Sequence, residues 1–391
     1  MISYGRHTIN LLDIVSVVKQ LGFKSLTQGS KIEEFEESVS NYVGAKYAVA
    51  VSSATAGLHL AVMALNLPKD SEIITSPISF VASSNAILYS GHQPRFVDIE
   101  RESLNLDLNL VEKECSSSNR VRAVIPVHFA GTPCDMSRLY DLSVTKGFKL
   151  VEDAAHALGA SYANGKKVGS CEYSEMTVFS FHPVKSITTG EGGMVTTNSL
   201  DLYKKLLRLR SHGINKLNDD FEFDLNSKSK GLINPWYYEM QELGFNYRLT
   251  EIQAALGISQ LRRLDKFIKK RASKVSWYRK AILASPYLKA AQDPSTLSSA
   301  NHLFPVRIDF SKIQISKARL IHSLREKGIN PQVHYIPIPM HPYYQKLGFE
   351  IESFPEALSY YHESLSLPLF PRLRRSQQKR IIRVLNQILA N

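Results

Sequence analysis

The feature that most constrains the fold is an alternation of short β-prone runs with helical patterns over the first two-thirds of the chain. The runs are YAVAV (47–51), EIIT (72–75), RFVDI (95–99), RAVIPV (122–127), KLVED (149–153), MTVFSF (176–181) and GMVTT (193–197). Between the first two, Ala54 to Leu65 has apolar residues at the i, i+3, i+4, i+7 spacing of a buried helix face. Strands that alternate with helices predict an α/β domain with a mainly parallel, seven-stranded sheet.

The order of elements changes in the last third of the chain. A polar stretch, KLNDDFEFDLNSKSKG (216–231), precedes a helix that is predicted to begin near Leu249. From about residue 265 the order is a helix, the run HLFPVRI (302–308), a helix at 316–327, the run INPQVHYIPI (329–338) and a closing helix from about 374. We therefore predict a large domain over 1–264, including the N-terminal segment, and a smaller C-terminal α+β domain over 265–391.

The chain is basic, with a formal net charge of +12 over 391 residues. Lysine and arginine cluster in KFIKKRASK (266–274) and RLRRSQQKRIIR (372–383). No aromatic interleaving or nucleic-acid motif accompanies them, so solvated helix faces are favoured over a nucleic-acid partner. The excess charge would favour anionic small molecules such as nucleotide sugars and carboxylates.

Cysteine usage and hydropathy bear on the compartment. Cys115, Cys134 and Cys171 lack metal-ligand spacing and are too few for a disulfide framework, which predicts a reducing compartment and no metal site. The N-terminus MISYGRHTINLLDIV lacks an export-signal pattern. Residues 47–68 are uncharged over a membrane-like length, but their polar residues and changing periodicity indicate a strand followed by a helix. A cytoplasmic protein without a membrane partner is expected.

One lysine, Lys185, follows the run MTVFSF and precedes a glycine-rich turn in FSFHPVKSITTGEGG (179–193). A lysine attacks a carbonyl near neutral pH only when it is desolvated or already bonded as an imine. A strand end followed by a tight turn offers that setting, although most lysines at strand ends are structural. Lys185 is therefore a candidate nucleophile.

Two further clusters point to a bound anion and a bound cation. Ser53, Ala54 and Thr55 lie between a strand and a helix, where free N–H groups form an anion site or a hydroxyl simply caps the helix. Asp153 ends an apolar strand, where a carboxylate faces solvent or pairs with a cation such as a protonated pyridine nitrogen. His156 is either a core histidine or a partner of a cofactor's phenolic oxygen.

A lysine for an imine, a phosphate cradle and an aspartate for a ring nitrogen together specify pyridoxal 5′-phosphate (PLP). Phe80, in SPISFVASSNA, would supply an apolar face that stacks on the ring, although a phenylalanine beside Val81 is by default a core residue. The combination is more specific than any of its parts.

Six segments resemble the DegT/DnrJ/EryC1/StrS family of sugar aminotransferases. They are LTQGSKIEEFEESVSNYVGAKYAVAVSSATAGLHLA, ITSPISFVASSNAIL, VEDAAHALGA, FSFHPVKSITTGEGG, LRSHGI and LGFNYRLTEIQAALGISQL. The resemblance runs from about Leu26 to Tyr335 and implies the aspartate aminotransferase fold, which is fold type I of the PLP enzymes. ELGFNYRLTEIQAALG, VHYIP and SFHPVKSITT are most similar to the pseudaminic-acid-pathway subgroup, which aminates C4 of a UDP-linked 4-keto-6-deoxy-N-acetylhexosamine.

The resemblance implies a role for each matching cofactor-site residue. Lys185 would carry the imine, Asp153 would pair with the pyridine nitrogen and Phe80 would stack on the ring. At position 156 the family often has glutamine, so the contact of His156 with the cofactor would differ in charge, although histidine also occurs in this subgroup.

The phosphate contacts imply a second subunit. Ser180 and Thr55 would hold the phosphate, and Asn246 matches an asparagine that the family contributes from the neighbouring subunit. The resemblance therefore implies an obligate homodimer with shared active sites.

Other matching positions concern the two substrates, a nucleotide sugar and, by family habit, L-glutamate. The sugar-nucleotide site of the subgroup is matched by Tyr4, Lys24, Ser25, Leu26, Thr27, Val333, His334, Tyr335 and Ile336. His182, Arg210, His212 and Arg248 are candidates for contacting phosphates or the donor carboxylate. For each of these four, a structural ion pair or a core role is an alternative.

Alternatives to this function remain open at the level of sequence. A related nucleotide-sugar 3- or 4-aminotransferase would act on a different UDP- or dTDP-linked keto-sugar. A PLP-type sugar dehydratase shares the fold but lacks the imine lysine, and a non-catalytic ligand-binding regulator would not need the retained Lys185 and Asp153 together.

Overall fold

The computed structural model describes residues 1–23, 25–216, 221–222, 227–229, 231–292 and 298–390. Its helices are α1 Leu11–Phe23, α2 Ser30–Val43, α3 Ala54–Ala64, α4 Ala82–Tyr89, α5 Leu108–Ser117, α6 Met136–Lys146, α7 Leu200–Arg210, α8 Glu251–Leu261, α9 Leu264–Ile282, α10 Lys317–Glu326, α11 Pro342–Lys346, α12 Pro355–Glu363 and α13 Arg375–Leu389. Its strands are β1 Tyr47–Val51, β2 Glu72–Thr75, β3 Gln93–Phe96, β4 Val121–Ile125, β5 Lys149–Asp153, β6 Met176–Ser180, β7 Gly193–Thr197, β8 Ile214–Asn215, β9 Lys228–Ser229, β10 Leu232–Ile233, β11 Glu239–Met240, β12 Leu288–Ala290, β13 Phe304–Ile308 and β14 Ser364–Leu367.

The large sheet has seven strands in the order β1-β7-β6-β5-β4-β2-β3. Strand β7 is antiparallel to both of its neighbours, β1 and β6, and the pairs from β6 to β3 are parallel. Every residue of β2, β6 and β7 is buried, as expected for a sheet covered by helices on both faces. The predicted mainly parallel, seven-stranded α/β layer is confirmed.

The carboxyl ends of the central strands and the start of α3 lie at one edge of this sheet. The helix begins after Ser53, whose hydroxyl accepts a hydrogen bond from the backbone N–H of Ala56 at 3.1 Å. Strand order reverses in this region, because β1 lies beyond β7 and β6 while β2 lies beyond β4. Ligands of α/β sheets bind at such an edge, outside the carboxyl ends of the strands.

A small antiparallel sheet, β12-β13-β14, organises the C-terminal part of the chain. The run at 302–308 gives β13, and the predicted helices at 316–327 and from 374 correspond to α10 and α13. The run INPQVHYIPI forms no strand; it makes isolated bridges from Ile329 to Ile2 and from Gln332 to Ser366. Its two prolines lack the N–H that a ladder requires.

Helix α9 connects the two parts of the molecule. Leu264 and Phe267, at its start, belong to the core under the large sheet, and Val275 and Tyr278 belong to the core of the small sheet. The boundary at residues 264/265 stays a prediction. The polar stretch at 216–231 falls partly on residues outside the described ranges. No helix in the described part of the chain is both long and apolar enough to cross a membrane.

Candidate active site

A cavity of about 610 Å³ opens at the carboxyl edge of the large sheet. The predicted site residues on its wall are Tyr4, Ser53, Ala54, Thr55, Phe80, Asp153, His156, Ser180, His182, Lys185, Val333, His334 and Tyr335. These residues span the chain from position 4 to position 335, so only the tertiary fold brings them together.

Lys185 lies in the loop that follows β6. Its backbone N–H donates to the carbonyl of His182 at 2.9 Å, and the N–H of Thr189 donates to the carbonyl of Phe181 at 3.0 Å. Desolvation lowers the pKa of Lys185 to about 8, although the negative charge of Asp153 acts in the opposite direction. A substantial fraction of the amine is therefore unprotonated at mildly alkaline pH, as a nucleophile or general base requires.

Asp153 ends β5 and is 5% exposed. Its Oδ2 accepts a hydrogen bond from the Ser83 hydroxyl at 2.6 Å, and its Oδ1 accepts one from the backbone N–H of Ala155 at 3.1 Å. These two donors fix the carboxylate beside the cavity. Ser83 was missed at the level of sequence, because a serine within SSNA carries no signal of a partner 70 residues away.

The neighbouring acid, Glu152, is also a buried carboxylate but has no access to the cavity lining. It accepts hydrogen bonds from four side chains at 2.5–2.9 Å: His128, Tyr162, Ser174 and Thr177. Successive strand residues point to opposite faces of a sheet, so the adjacent carboxylates of β5 lie in different surroundings. Glu152 is fully engaged in the core, whereas Asp153 remains available to a cationic ligand.

The start of α3 forms a small polar cradle. Because the Ser53 hydroxyl already caps Ala56, the capping alternative is realised, and the N–H groups of Ala54 and Thr55 stay outside the helix hydrogen bonds. Gly193 of β7 pairs with Ser180 and lies against this turn. A Cβ at Gly193 would lie 2.7 Å from the backbone N of Ala54 and from the carbonyl oxygen of Ser53, so a larger residue would displace the cradle.

His156 lies on the cavity wall between two other rings. Its Nε2 is 3.1 Å from the Tyr335 hydroxyl, and its ring centroid is 4.4 Å from that of His302. Its Nδ1 is buried and has no hydrogen-bond partner among the residues described. Burial, and secondarily the charge of Lys185, lower the pKa of His156 well below its usual value. His302 was not predicted as a site residue, and its signal in the sequence is its place as the first residue of the run HLFPVRI.

Phe80 is 59% exposed although it lines the cavity. The core alternative is therefore not what the structure shows, and the open ring is suited to stacking on a flat ligand. Unpaired helix N–H groups, the unpartnered Nδ1 of His156, the Asp153 carboxylate and Lys185 complete a set that fits the phosphate, phenolic oxygen, ring nitrogen and aldehyde of PLP.

Several predicted residues do not line this cavity. Lys24 lies outside the described residues. The predicted residues that are exposed elsewhere on the chain are Ser25, Leu26, Thr27, Asn246 and Ile336. Arg210, His212 and Arg248 line a second cavity of about 480 Å³. Of these, Arg210 donates to the Glu36 carboxylate at 2.5 Å and to the carbonyl of Ala50 at 2.8 Å, so the structural ion-pair alternative holds for it.

Comparisons with known proteins identify the family of the chain. The model of the DegT/DnrJ/EryC1/StrS aminotransferase family matches residues 10–386. The UDP-4-amino-4,6-dideoxy-N-acetyl-beta-L-altrosamine transaminase of Campylobacter jejuni serotype O:23/36 is 37% identical over 390 residues, covering 100% of this chain and 98% of its own. Bacillus subtilis SpsC, a spore coat polysaccharide biosynthesis protein, is 36% identical and covers 99% of this chain and 96% of its own.

Solved structures lead to the same family. Helicobacter pylori PseC, an aminotransferase involved in the biosynthesis of pseudoaminic acid, superposes with a TM-score of 0.89 at 33% identity, covering 100% of this chain and 99% of its own. Spr1654 of Streptococcus pneumoniae, solved in a PLP form, has a TM-score of 0.88 at 28% identity and covers 100% of this chain and 98% of its own. The predicted fold class and enzyme class are confirmed: this chain belongs to the DegT/DnrJ/EryC1/StrS aminotransferase family.

Proposed function

We propose that the protein transfers the amino group of L-glutamate to C4 of a UDP-linked 4-keto-6-deoxy-N-acetylhexosamine, with PLP as its cofactor. The observation that carries the proposal is Lys185 beside Asp153 in one cavity, its pKa lowered to about 8. The choice of sugar is supported by the 37% identity, over the whole chain, to a transaminase named for such a nucleotide sugar.

Different residues of the chain would contact different parts of the cofactor. The Ala54 and Thr55 N–H groups with Ser180 would hold the phosphate, Phe80 would cover one ring face and Asp153 would keep a proton on the ring nitrogen. When bound, PLP supplies an electron-poor ring that accepts the negative charge left after an amino acid loses its Cα proton.

Lys185 would move the reacting protons. Its unprotonated amine would take the proton from Cα of the bound glutamate. It would then deliver that proton to the other carbon atom bonded to the amine nitrogen. Because its pKa is lowered by desolvation, the lysine accepts and releases a proton at similar cost near neutral pH. In the second half-reaction it would act in the opposite direction, delivering a proton to C4 of the sugar.

The cavity wall formed by Tyr4 and residues 332–335 would bind the sugar. Tyr4 and His334 lie with ring centroids 5.2 Å apart, and His334 Nδ1 is 2.9 Å from the Ser366 hydroxyl. Burial lowers the pKa of His334 to about 3, so this wall is uncharged at neutral pH. Polar but neutral side chains suit the hydroxyl and amide groups of an N-acetylhexosamine.

The experiment is to incubate the purified protein with glutamate and a panel of UDP- and dTDP-linked 3-keto and 4-keto sugars, and to identify products by NMR. We expect a 4-amino sugar from the UDP-linked 4-keto-6-deoxy-N-acetylhexosamine, with 2-oxoglutarate formed in equal amount. Amination only at C3, or only of dTDP-linked sugars, would show that the protein is a related nucleotide-sugar aminotransferase with a different keto-sugar substrate. No amination of any sugar would refute the proposal.

We further propose a homodimer in which Asn246 reaches the partner's cofactor site. Asn246 is exposed and lies outside the cavity of its own chain. Large apolar side chains are exposed on α1 and on residues 236–243, including Leu11, Leu12, Val18, Trp236, Met240 and Leu243. Exposed apolar patches of this kind mark protein–protein interfaces.

Shared sites can be tested by complementation. Asn246→Ala and Lys185→Ala proteins should each be inactive, and an equal mixture that has exchanged subunits should recover roughly a quarter of wild-type activity, because half of the dimers carry one intact site. A mixture that regains no activity after verified subunit exchange would exclude Asn246 from the partner's site.

A further inference from the structure

We propose that Tyr335 is a positioning residue that fixes His156 in the tautomer with its proton on Nδ1, so that the imidazole donates a hydrogen bond from Nδ1 to an acceptor oxygen of the ligand in the cavity. The inference rests on the proposed function only for the identity of that ligand, which is the phenolic oxygen of PLP. The tautomer is a property of the protein alone.

The Tyr335 hydroxyl and the His156 ring form one hydrogen-bonded pair. The Tyr335 hydroxyl and His156 Nε2 are 3.1 Å apart, and one of them donates. If Nε2 carried the proton, the partly buried phenol would have no acceptor for its own proton among the described residues, and the Nδ1 lone pair would have no donor. A phenol that donates to Nε2 leaves only the Nδ1 proton unpaired, which is one unpaired group fewer, so the phenol donates and the imidazole proton is on Nδ1.

The charges around His156 keep the ring neutral. Lys185 faces it with a positive charge, and the two imidazoles nearby, His302 and His334, are themselves buried. Burial lowers the pKa of His156 and of His302 well below the usual value, and Asp153 makes no hydrogen bond to either ring. A neutral imidazole has one donor and one acceptor nitrogen, so the partner of Nε2 decides the role of Nδ1.

The neighbouring rings hold His156 in one orientation. His302 lies 4.4 Å away at an interplanar angle of 33°, and Phe129 contacts the ring edge with centroids 6.2 Å apart. His302 is 4% exposed, and Phe129 is 1% exposed. Exchanging Nδ1 and Nε2 by a ring flip would need these packed rings to move, so the tautomer is set by Tyr335 and not by rotation of the ring.

This arrangement leaves a buried N–H group without an acceptor, because Nδ1 has no partner among the described residues. An unpaired buried donor is unfavourable until a ligand supplies an oxygen. The Tyr335–His156 pair therefore prepares the cavity for an acceptor at this point, and a ligand oxygen that carries negative charge would be bound more tightly than a neutral one.

The first test uses the cofactor-free full chain labelled with ¹⁵N-histidine. We expect the His156 signals, assigned by their loss in His156→Gln, to show a protonated Nδ1 and an unprotonated Nε2 at neutral pH. In Tyr335→Phe the proton should move largely to Nε2. The matched control is Tyr278→Phe, which removes another buried hydroxyl, bonded to the carbonyl of Pro368 at 3.0 Å, and should leave the His156 signals unchanged.

The second test measures PLP binding by absorbance and equilibrium dialysis. Tyr335→Phe should bind PLP roughly tenfold more weakly, and the pH midpoint of the bound-cofactor absorbance should move, while Tyr278→Phe matches wild type. A wild-type His156 protonated on Nε2, or an unchanged tautomer in Tyr335→Phe, would overturn the inference. If Tyr335→Phe does not fold, the wild-type spectrum decides alone.

The two proposals fail in different experiments. If the wild-type protein aminates no keto-sugar while His156 carries its proton on Nδ1, the function falls and the inference about Tyr335 stands. If amination is observed and Nε2 is protonated, the function stands, and Tyr335 acts only as part of the cavity wall.

Discussion

The two walls of the cavity are built in different ways. The sheet wall carries Asp153 at the end of β5 and Ser180 at the end of β6, adjacent parallel strands whose backbones are fixed by the ladder. The loop wall carries Tyr4 and residues 332–335, which belong to no regular element. It depends on hydrogen bonds between distant loops, from Asn330 N–H to the carbonyl of Ile2 at 2.8 Å and from Leu369 N–H to the carbonyl of Tyr4 at 2.9 Å.

This difference supports the proposal that the sheet wall performs the chemistry and the loop wall selects the substrate. Asp153 lies at the end of β5 on the sheet wall, and Lys185 lies in the loop that directly follows β6, where its backbone N–H bonds the carbonyl of His182. The loop wall presents neutral rings, and a loop can change without altering the sheet. We therefore expect substitutions on the sheet wall to affect every substrate and those on the loop wall to affect sugars selectively.

The largest effect is expected for Lys185→Ala. Loss of the group that moves protons should lower the rate of the glutamate half-reaction by roughly 10³-fold or more, for every amino donor. The rate can be followed by single-turnover absorbance of the bound cofactor. If the variant retains more than a tenth of the wild-type rate, Lys185 is not the group that moves protons, and the two walls do not differ in their contribution to the rate.

Asp153→Asn should have the next largest effect. The amide keeps the shape that Ser83 and Ala155 recognise but no longer holds a proton on the ring nitrogen, so the same rate should fall by roughly 10²-fold. Glu152→Gln is the matched control on the adjacent strand position, and we expect its main effect on the unfolding midpoint. Equal rate losses in both variants would mean that Asp153 has only a structural role.

Stability should depend on Lys185 in the alkaline range. Its folded pKa is about 8 and its unfolded pKa about 10.5, so between these values the unfolded chain binds more protons and the free energy of unfolding rises with pH. The rise is at most about 3 kcal/mol, reduced because the side chain is partly open to the cavity. The free energies of unfolding of cofactor-free wild type and Lys185→Met should be measured in urea across this pH range, and their difference should show the rise. A difference that does not change with pH would contradict the lowered pKa.

Gly193→Ala tests the phosphate cradle on the sheet wall. The new methyl group would lie 2.7 Å from backbone atoms of Ser53 and Ala54, which should cost about 1–3 kcal/mol of unfolding free energy and weaken PLP binding. Gly22→Ala is the control, because a Cβ there meets no atom within 4 Å. If both variants bind PLP as wild type does, the close contact of β7 with α3 is not needed.

The smallest effect near neutral pH is expected from His334 on the loop wall, because its contribution to stability changes only below about pH 6.5. Its pKa is about 3 in the folded chain and 6.5 unfolded, so the unfolding free energy falls as the pH decreases below about 6.5, by at most about 1.4 kcal/mol per pH unit. His334→Gln should flatten the acid side of the stability profile, whereas exposed His322→Gln should not. Identical acid profiles for wild type and His334→Gln would show that His334 is not buried as a neutral ring.

Much of the sheet wall could be predicted from the sequence. The runs that became β1, β2, β5, β6 and β7 were located within one residue, because strands buried on both faces of a sheet are mostly apolar stretches with local signals. Positions at their carboxyl ends, such as Asp153 and Lys185, follow from the general location of ligand sites in α/β sheets. The combination of these residues predicted the cofactor, and the family resemblance added the predicted substrates.

The loop wall and the supporting contacts depended on the tertiary structure. β14, with sequence SLSL, carries no apolar run and was not predicted; it becomes a strand because it pairs with β13. Ser83, His302 and the Tyr335–His156 contact join residues 70 or more positions apart. Strand pattern and local motifs are encoded over a few residues, so the sequence determined them. Contacts across the cavity depend on how whole elements pack, and only the folded chain decides their distances.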